Sequence, residues 1–220
     1  CMEFRQVEDG VEKHFEIRHL IYAETNPNFK AWFHDIVYRD FGVDCKVVVL
    51  VLRKYMPALL KSLAEIGWFS SKPNGYSWME TATSVNSKLT WYRADDGDLN
   101  HFQKILSYLH NTEAVTAWMK VQYVDRMDFL DLRSEYIFSK VGALDLIESL
   151  LTLRPSISTI GLVGQTIDKR VDDTGKKIAV RVTIDECRDQ IQSFEDLCAR
   201  NKVSLPNMTE WKLPYPNFPY

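Results

Sequence analysis

Two adjacent basic residues, Arg53 and Lys54, stand where an α/β protein commonly binds an anion. They follow an unbroken apolar run, Val47 to Leu52, and precede Pro57, a residue that often opens a helix. Open α/β sheets bind ligands at the carboxyl ends of their strands, and the N–H groups of a helix N-terminus favour negative charge. The pair therefore predicts an anion site, with a solvated basic turn as the alternative.

The elements around this pair are clearly marked in the sequence. The run from Val47 to Leu52 is apolar at every position and mostly β-branched, which predicts a central strand of a parallel sheet, buried between two helical layers. The helix opened by Pro57 carries apolar residues at helical spacing: Leu59, Leu60, Leu63 and Ile66.

A similar unit is expected earlier in the chain. His19 to Ala23 is a candidate strand, and the helix after it has Asn26 as N-cap and Gly42 just past its end. A right-handed crossover makes this strand a parallel neighbour of residues 47–52. Glu24, at its end, then emerges at the same edge as Arg53, about one strand spacing away. It suits a general base if burial raises its pKa, and equally a residue that interacts with the helix dipole.

The rest of the chain continues the α/β pattern. Helices are predicted at 99–120 and 139–153 and from Thr183, where Glu186 completes a capping box, and a short strand is predicted at 128–132. Residues 1–18 are expected to be partly helical. The prediction is one three-layer α/β/α domain with a mainly parallel central sheet over 1–201, its N-terminus truncated. The Pro/aromatic-rich tail over 202–220 is expected to be non-helical and either to lie extended over the body or to serve as a linker.

Composition narrows the function classes. The 220 residues carry a formal net charge of −3, which argues against nucleic-acid binding. No apolar run reaches the length of a membrane span. Four cysteines without metal-ligand spacing predict reduced thiols, a cytoplasmic location and no metal.

Several segments taken together resemble the sulfotransferase superfamily, which is related to the P-loop NTPases. They are YAETNPNF at 22–29, VVLVLR at 48–53 and Ser62 on the following helix. The segments at 65–69 and 91–98, the basic loop and the final helix are similar to an uncharacterised microbial and fungal sulfotransferase-like group. The likeness covers most of residues 20–200.

The resemblance implies transfer of a sulfonate group from 3′-phosphoadenosine 5′-phosphosulfate (PAPS) to a hydroxyl or amine. It makes Glu24 the general base and Arg53 and Ser62 the contacts of the donor's 3′-phosphate. It adds a further phosphate contact from Lys169 and Arg170 in the late basic loop. The loop at 70–100 would shape the pocket of a small-molecule or glycan acceptor, together with the aromatic residues Trp68, Trp78, Trp91 and Tyr92. These aromatic side chains suit a plain core equally well.

Two departures keep a second hypothesis open. No segment before residue 20 matches the family's phosphosulfate-binding loop. The interval from Arg53 to Ser62 is one residue longer than the family's, so Lys54 or Lys61 is an alternative to Ser62 as a phosphate contact. The alternative is a non-catalytic sulfotransferase-fold module that binds a protein partner through loop 70–100 or tail 203–220. A different phosphotransferase is disfavoured because the sequence has no Walker-type motif.

Overall fold

The described part of the protein is mixed α/β, and helices predominate in it. The computed structural model describes residues 2–8, 11–17, 47–67, 69, 99–151 and 181–214. The strands are β1 (Met2–Glu8), β2 (Val11–Ile17), β3 (Val47–Arg53) and β4 (Met127–Arg133). The helices are α1 (Met56–Glu65), α2 (His101–Gln122), α3 (Ser134–Ile137), α4 (Lys140–Leu151), α5 (Ile184–Arg200) and α6 (Thr209–Lys212).

The N-terminal segment is a β-hairpin, so the prediction of partial helix in residues 1–18 is wrong. Strands β1 and β2 pair antiparallel, from Met2 opposite Ile17 to Glu8 opposite Val11. The sequence contains a signal for this outcome, because the two residues between the strands are Asp9 and Gly10, a pair typical of tight hairpins.

Strands β3 and β4 form a parallel pair, with Arg53 opposite Arg133 at its carboxyl end. Both strands were predicted, and the parallel arrangement is confirmed for this pair. Burial on both faces is not observed, since Leu50 and Leu52 are 40% and 49% exposed. The helical cover seen on the pair is α2, which packs on the other face of β3 through Val47 and Val49. The candidate strand at 19–23 and its helix lie outside the described residues.

The helix ends follow local capping rules. Asn100 caps α2 and Thr183 caps α5, each through a complete capping box with Gln103 and Glu186 respectively. Helix α1 begins at Met56, so Pro57 is its second residue rather than its first. The predicted start of the final helix at Thr183 is confirmed.

The main core lies between three helices and the C-terminal segment. Its buried members include Leu60 of α1, Ile105 and Leu106 of α2, and Phe194 of α5. A smaller cluster joins the second half of α2 to the β3–β4 pair through Val115, Met119, Tyr123 and Met127. Helix α2 therefore connects the helical core to the sheet, and its 22 residues span about 33 Å.

The C-terminal segment packs on the body, which is one of the two placements expected for the tail, but the expectation that the tail contains no helix is wrong. Residues 209–212 form one helical turn, and Met208 and Trp211 are buried in the main core. The free energy of burying these two large side chains explains why the segment packs on the body despite its prolines. None of the helices in the described ranges is long and apolar enough to cross a membrane.

Candidate functional site

The carboxyl end of β3 holds a buried arginine between two carboxylates. Arg53 donates from Nε to Oδ1 of Asp131, at 2.9 Å, and from Nη1 to Oε2 of Glu113, at 3.0 Å, and its Nη2 forms an ion-pair contact with the same Asp131 oxygen at 2.7 Å. Asp131 comes from the neighbouring strand β4 and Glu113 from α2. Arg53 is only 7% exposed. The pairing supplies the charge partners that a buried guanidinium requires.

An aromatic ring completes the surroundings of Arg53. The guanidinium carbon lies 5.2 Å from the centroid of the Trp211 ring, which sits over it as in a cation–π pair. We call Arg53, Glu113, Asp131 and Trp211 the Arg53 site. Four elements contribute to it, β3, α2, β4 and α6, so it exists only once the chain has folded.

The charges of the Arg53 site are coupled. Burial raises the pKa of the Glu113 carboxyl, and the adjacent Arg53 limits that rise. Burial would also raise the pKa of Asp131, but hydrogen bonds from Lys120 and Arg53 outweigh it, so this pKa is lowered. The Nζ atom of Lys120 lies 2.5 Å from Oδ2 of Asp131. Two cations thus share two carboxylates, and the local charge is balanced.

A third carboxylate reaches the N-terminal end of α1. Glu135, 3% exposed, accepts a hydrogen bond at 3.0 Å from the backbone N–H of Tyr55, the N-cap residue of α1. The Tyr55 hydroxyl accepts two further bonds, at 3.2 and 3.0 Å, from Arg188 of α5. A carboxylate beside a helix N-terminus is favourable, because the exposed N–H groups there carry partial positive charge.

The described residues include three of the predicted ligand contacts. Arg53 is buried in ion pairs, Lys54 is half-buried, and Ser62 is exposed on α1. No hydrogen bond or ion pair joins the Lys54 ammonium to another described residue. Lys61 pairs with Glu65 at 2.7 Å. The remaining predicted residues, Glu24, Trp68, Trp78, Trp91, Tyr92, Lys169 and Arg170, lie outside the described residues.

The partners of Arg53 were not identified from the sequence. Glu113 is 60 residues and Asp131 is 78 residues away along the chain. No spacing rule links positions so far apart, and Glu113 stands within a helix whose polar residues look solvent-facing in sequence. The one available signal was an acidic residue inside the apolar strand pattern around Asp131.

In the described part of the chain, no cluster of histidine, cysteine or acidic side chains has the arrangement needed to hold a metal ion. No protein-family model matches the chain, and comparisons with curated proteins and with solved structures find no match. The arrangement at the β3–β4 edge is therefore interpreted from its own chemistry. It combines fixed positive charge with carboxylates that already neutralise most of that charge.

Proposed function

We propose that this chain is a sulfotransferase-like protein of three-layer α/β/α fold that binds PAPS at the carboxyl edge of β3 and β4. Its activity would be transfer of the sulfonate group to a hydroxyl or amine acceptor. The support is positional: Arg53 ends β3, Lys54 follows, and α1 begins at Met56 beside a parallel neighbouring strand. Parallel sheets bind ligands at this edge, and a helix N-terminus there suits a phosphate.

The position and the unpaired state of Lys54 among the described residues are the main support for the donor site. Because Arg53 is held by Glu113 and Asp131, the first contact with an incoming phosphate falls to the neighbouring lysine. Lys54 is half-buried and without an ion pair to any described residue. It precedes Ser62 by eight residues, one fewer than Arg53 does, which restores the interval of the family that the sequence resembles. Lys54 and Ser62 are therefore the proposed contacts of the 3′-phosphate.

Arg53 contributes in this proposal as a fixed source of positive charge. Its Nε–H and one Nη1–H donate to the two carboxylates, so the guanidinium keeps N–H groups that donate to no described carboxylate. A phosphate that approaches Lys54 can accept hydrogen bonds from these N–H groups or displace Asp131. Asp131 is the more exposed of the two carboxylates, since its side chain is 39% exposed and that of Glu113 is 11% exposed. The assignments of Glu24 as base and of Lys169 and Arg170 as further phosphate contacts stay part of the proposal.

A second candidate is a non-catalytic module on the same fold. The observation that favours it is that the chain's own carboxylates already occupy the anion-binding groups of this edge. Glu113 and Asp131 bind Arg53, and Glu135 binds the N-cap backbone of α1. An edge satisfied in this way can be purely structural, with binding to a protein partner elsewhere on the molecule.

Calorimetric titration with 3′-phosphoadenosine 5′-phosphate separates the two candidates. Lys54→Ala removes the proposed phosphate contact and Ser62→Ala removes its hydroxyl partner, and neither side chain forms a hydrogen bond or ion pair with a described residue. The matched control is Lys202→Asn, because Lys202 is an exposed lysine with φ of 57°, a backbone conformation that asparagine tolerates.

We expect saturable micromolar binding by the wild type. Loss of one charge-assisted phosphate contact in Lys54→Ala should weaken it about tenfold, and loss of one neutral hydrogen bond in Ser62→Ala about threefold to tenfold. Lys202→Asn should bind as the wild type does. Absence of binding by the wild type would contradict the donor site and favour the interaction module.

A further inference from the structure

We propose that residues 203–213, the C-terminal strap, form an autoinhibitory cover that opens and closes over Arg53 without unfolding the rest of the domain. The inference deepens the proposed function, on which its regulatory meaning rests, but the opening itself is a separate physical claim. The central contact of the strap is Trp211, which is 5% exposed and whose ring lies over the Arg53 guanidinium.

Apolar side chains and polar groups both attach the strap to the body, and Val203 and Leu205 also pack, partly buried, on the main core. Met208 and Trp211 are buried against the main core. Lys212 forms an ion pair with Glu195 of α5, and Arg133 of β4 donates from Nη1 to the Leu213 carbonyl at 3.3 Å. The ion pair and the Arg133 hydrogen bond involve partly exposed groups, so water can replace them at modest cost.

Polar groups that bond to no described residue are buried in the strap and in the neighbouring core. Both ring nitrogens of His110 and the indole N–H of Trp211 are buried and bond to no described residue. His110 stacks on Phe194 of α5, with ring centroids 5.6 Å apart. Opening exposes the indole N–H of Trp211 to water, and the hydrogen bond gained offsets part of the apolar burial that is lost. Release of the strap alone is therefore easier than separation of α1, α2 and α5.

Opening changes the Arg53 site directly. With Trp211 removed, one face of the guanidinium meets water and the local dielectric constant rises, which weakens the ion pairs to Glu113 and Asp131. A phosphate of the nucleotide can then compete with the carboxylates for Arg53. The closed strap keeps the site in its internally neutralised state, which is how the cover would restrain ligand binding.

The test uses Lys212→Gln, which removes the ion pair to Glu195 without changing the Trp211 side chain. The matched control is Lys61→Gln, since Lys61 forms the comparable pair with Glu65 and the two lysine side chains are 37% and 35% exposed. The full-length chain is treated with phenylglyoxal, which modifies accessible guanidinium groups, and modification of Arg53 is followed by mass spectrometry. Exposed Arg200 is the internal reference.

We expect Arg53 to be modified about twofold to fivefold faster in Lys212→Gln than in wild type, the effect of losing one partly exposed ion pair. Lys61→Gln should leave the rate unchanged, and backbone hydrogen exchange within α5 should be the same in all three proteins. If Lys212→Gln leaves the modification rate of Arg53 unchanged, the proposed opening of the strap is wrong. It is also wrong if Arg53 is modified only at the rate at which backbone amides of α5 exchange, because the whole core would then be opening.

Titration of the same variants with 3′-phosphoadenosine 5′-phosphate distinguishes the strap from the proposed function. Tighter binding by Lys212→Gln, with faster Arg53 modification, supports both. Faster modification with no binding by any variant establishes the opening and contradicts the donor site. Equal binding by wild type and Lys212→Gln, despite faster modification, overturns the autoinhibitory role.

Discussion

At the scale of single residues, Arg53 shows what sequence position can and cannot reveal. Its place after an apolar run correctly indicates the carboxyl end of a parallel strand. Its side chain, however, is committed to Glu113 and Asp131, which lie far away in the sequence. Residue type and local pattern determine where a side chain starts, whereas its partners depend on how distant elements pack.

The Arg53 ion pairs should be important for stability. Arg53→Ala leaves the buried Glu113 without its partner and Asp131 with Lys120 alone, and we expect a loss of about 3–5 kcal/mol in the free energy of unfolding. Lys61→Ala, which removes a half-exposed pair within one helix, should cost about 0.5 kcal/mol or less. Urea unfolding at pH 7 measures both. Equal effects of the two substitutions would show that the Arg53 pairs are not specifically stabilising.

The buried His110 should make the folded protein less stable in mild acid. Burial, with a smaller contribution from the charge of Lys212, lowers the pKa of His110 to about 4. In the unfolded chain the pKa is about 6.5, so below that pH the unfolded state binds a proton that the folded state does not. The stability is therefore complete above about pH 6.5 and falls by up to about 3 kcal/mol as the pH drops towards 4.

The contribution of His110 is isolated by His110→Leu. Urea unfolding at pH 7 and pH 5 should show a smaller stability difference in the variant than in the wild type, because leucine cannot take up the proton. Asp131, whose pKa is lowered, also favours the folded state less as the pH falls, but it is present in both proteins. An identical difference in both proteins would contradict the buried, neutral state of His110.

At the scale of elements, the sequence predicts best what local chemistry determines. The capping box at Thr183 and the two strands of the parallel pair require only residues close to each other in sequence. The hairpin at 2–17 was missed because the many charged residues in its strands obscure the alternation of apolar positions. The helical turn at 209–212 was missed because its main support, burial of Trp211, is a tertiary contact.

The cap of α5 provides a test at this scale. Thr183→Ala removes the side-chain acceptor of the Glu186 N–H, which lies 3.1 Å away, and should lower the free energy of unfolding by about 1 kcal/mol. Thr183→Ser keeps the hydroxyl and should unfold within about 0.5 kcal/mol of the wild type. Urea unfolding of both variants checks this. A serine variant as unstable as the alanine variant would mean that the hydroxyl is not the stabilising group.

At the scale of the whole molecule, the described part of the chain brings a set of charged groups to one edge of a parallel pair, where they neutralise one another. Carboxylates from α2, β4 and α3 occupy the cationic and N–H groups there, and the C-terminal strap covers Arg53. This organisation connects the two candidate functions. The same edge is a donor site if a phosphate can displace a carboxylate, and a structural centre if it cannot.

The most direct test is therefore titration of Asp131→Asn with 3′-phosphoadenosine 5′-phosphate, beside Asp128→Asn. Both substitutions remove one negative charge from β4, but only Asp131 binds Arg53, and the side chains of residues three apart point to opposite faces of a strand. If the edge is an anion site restrained by its own carboxylate, Asp131→Asn should bind at least about threefold more tightly than the wild type, while Asp128→Asn should bind as the wild type does. Equal affinities of the two variants, or no binding by either, would contradict the account.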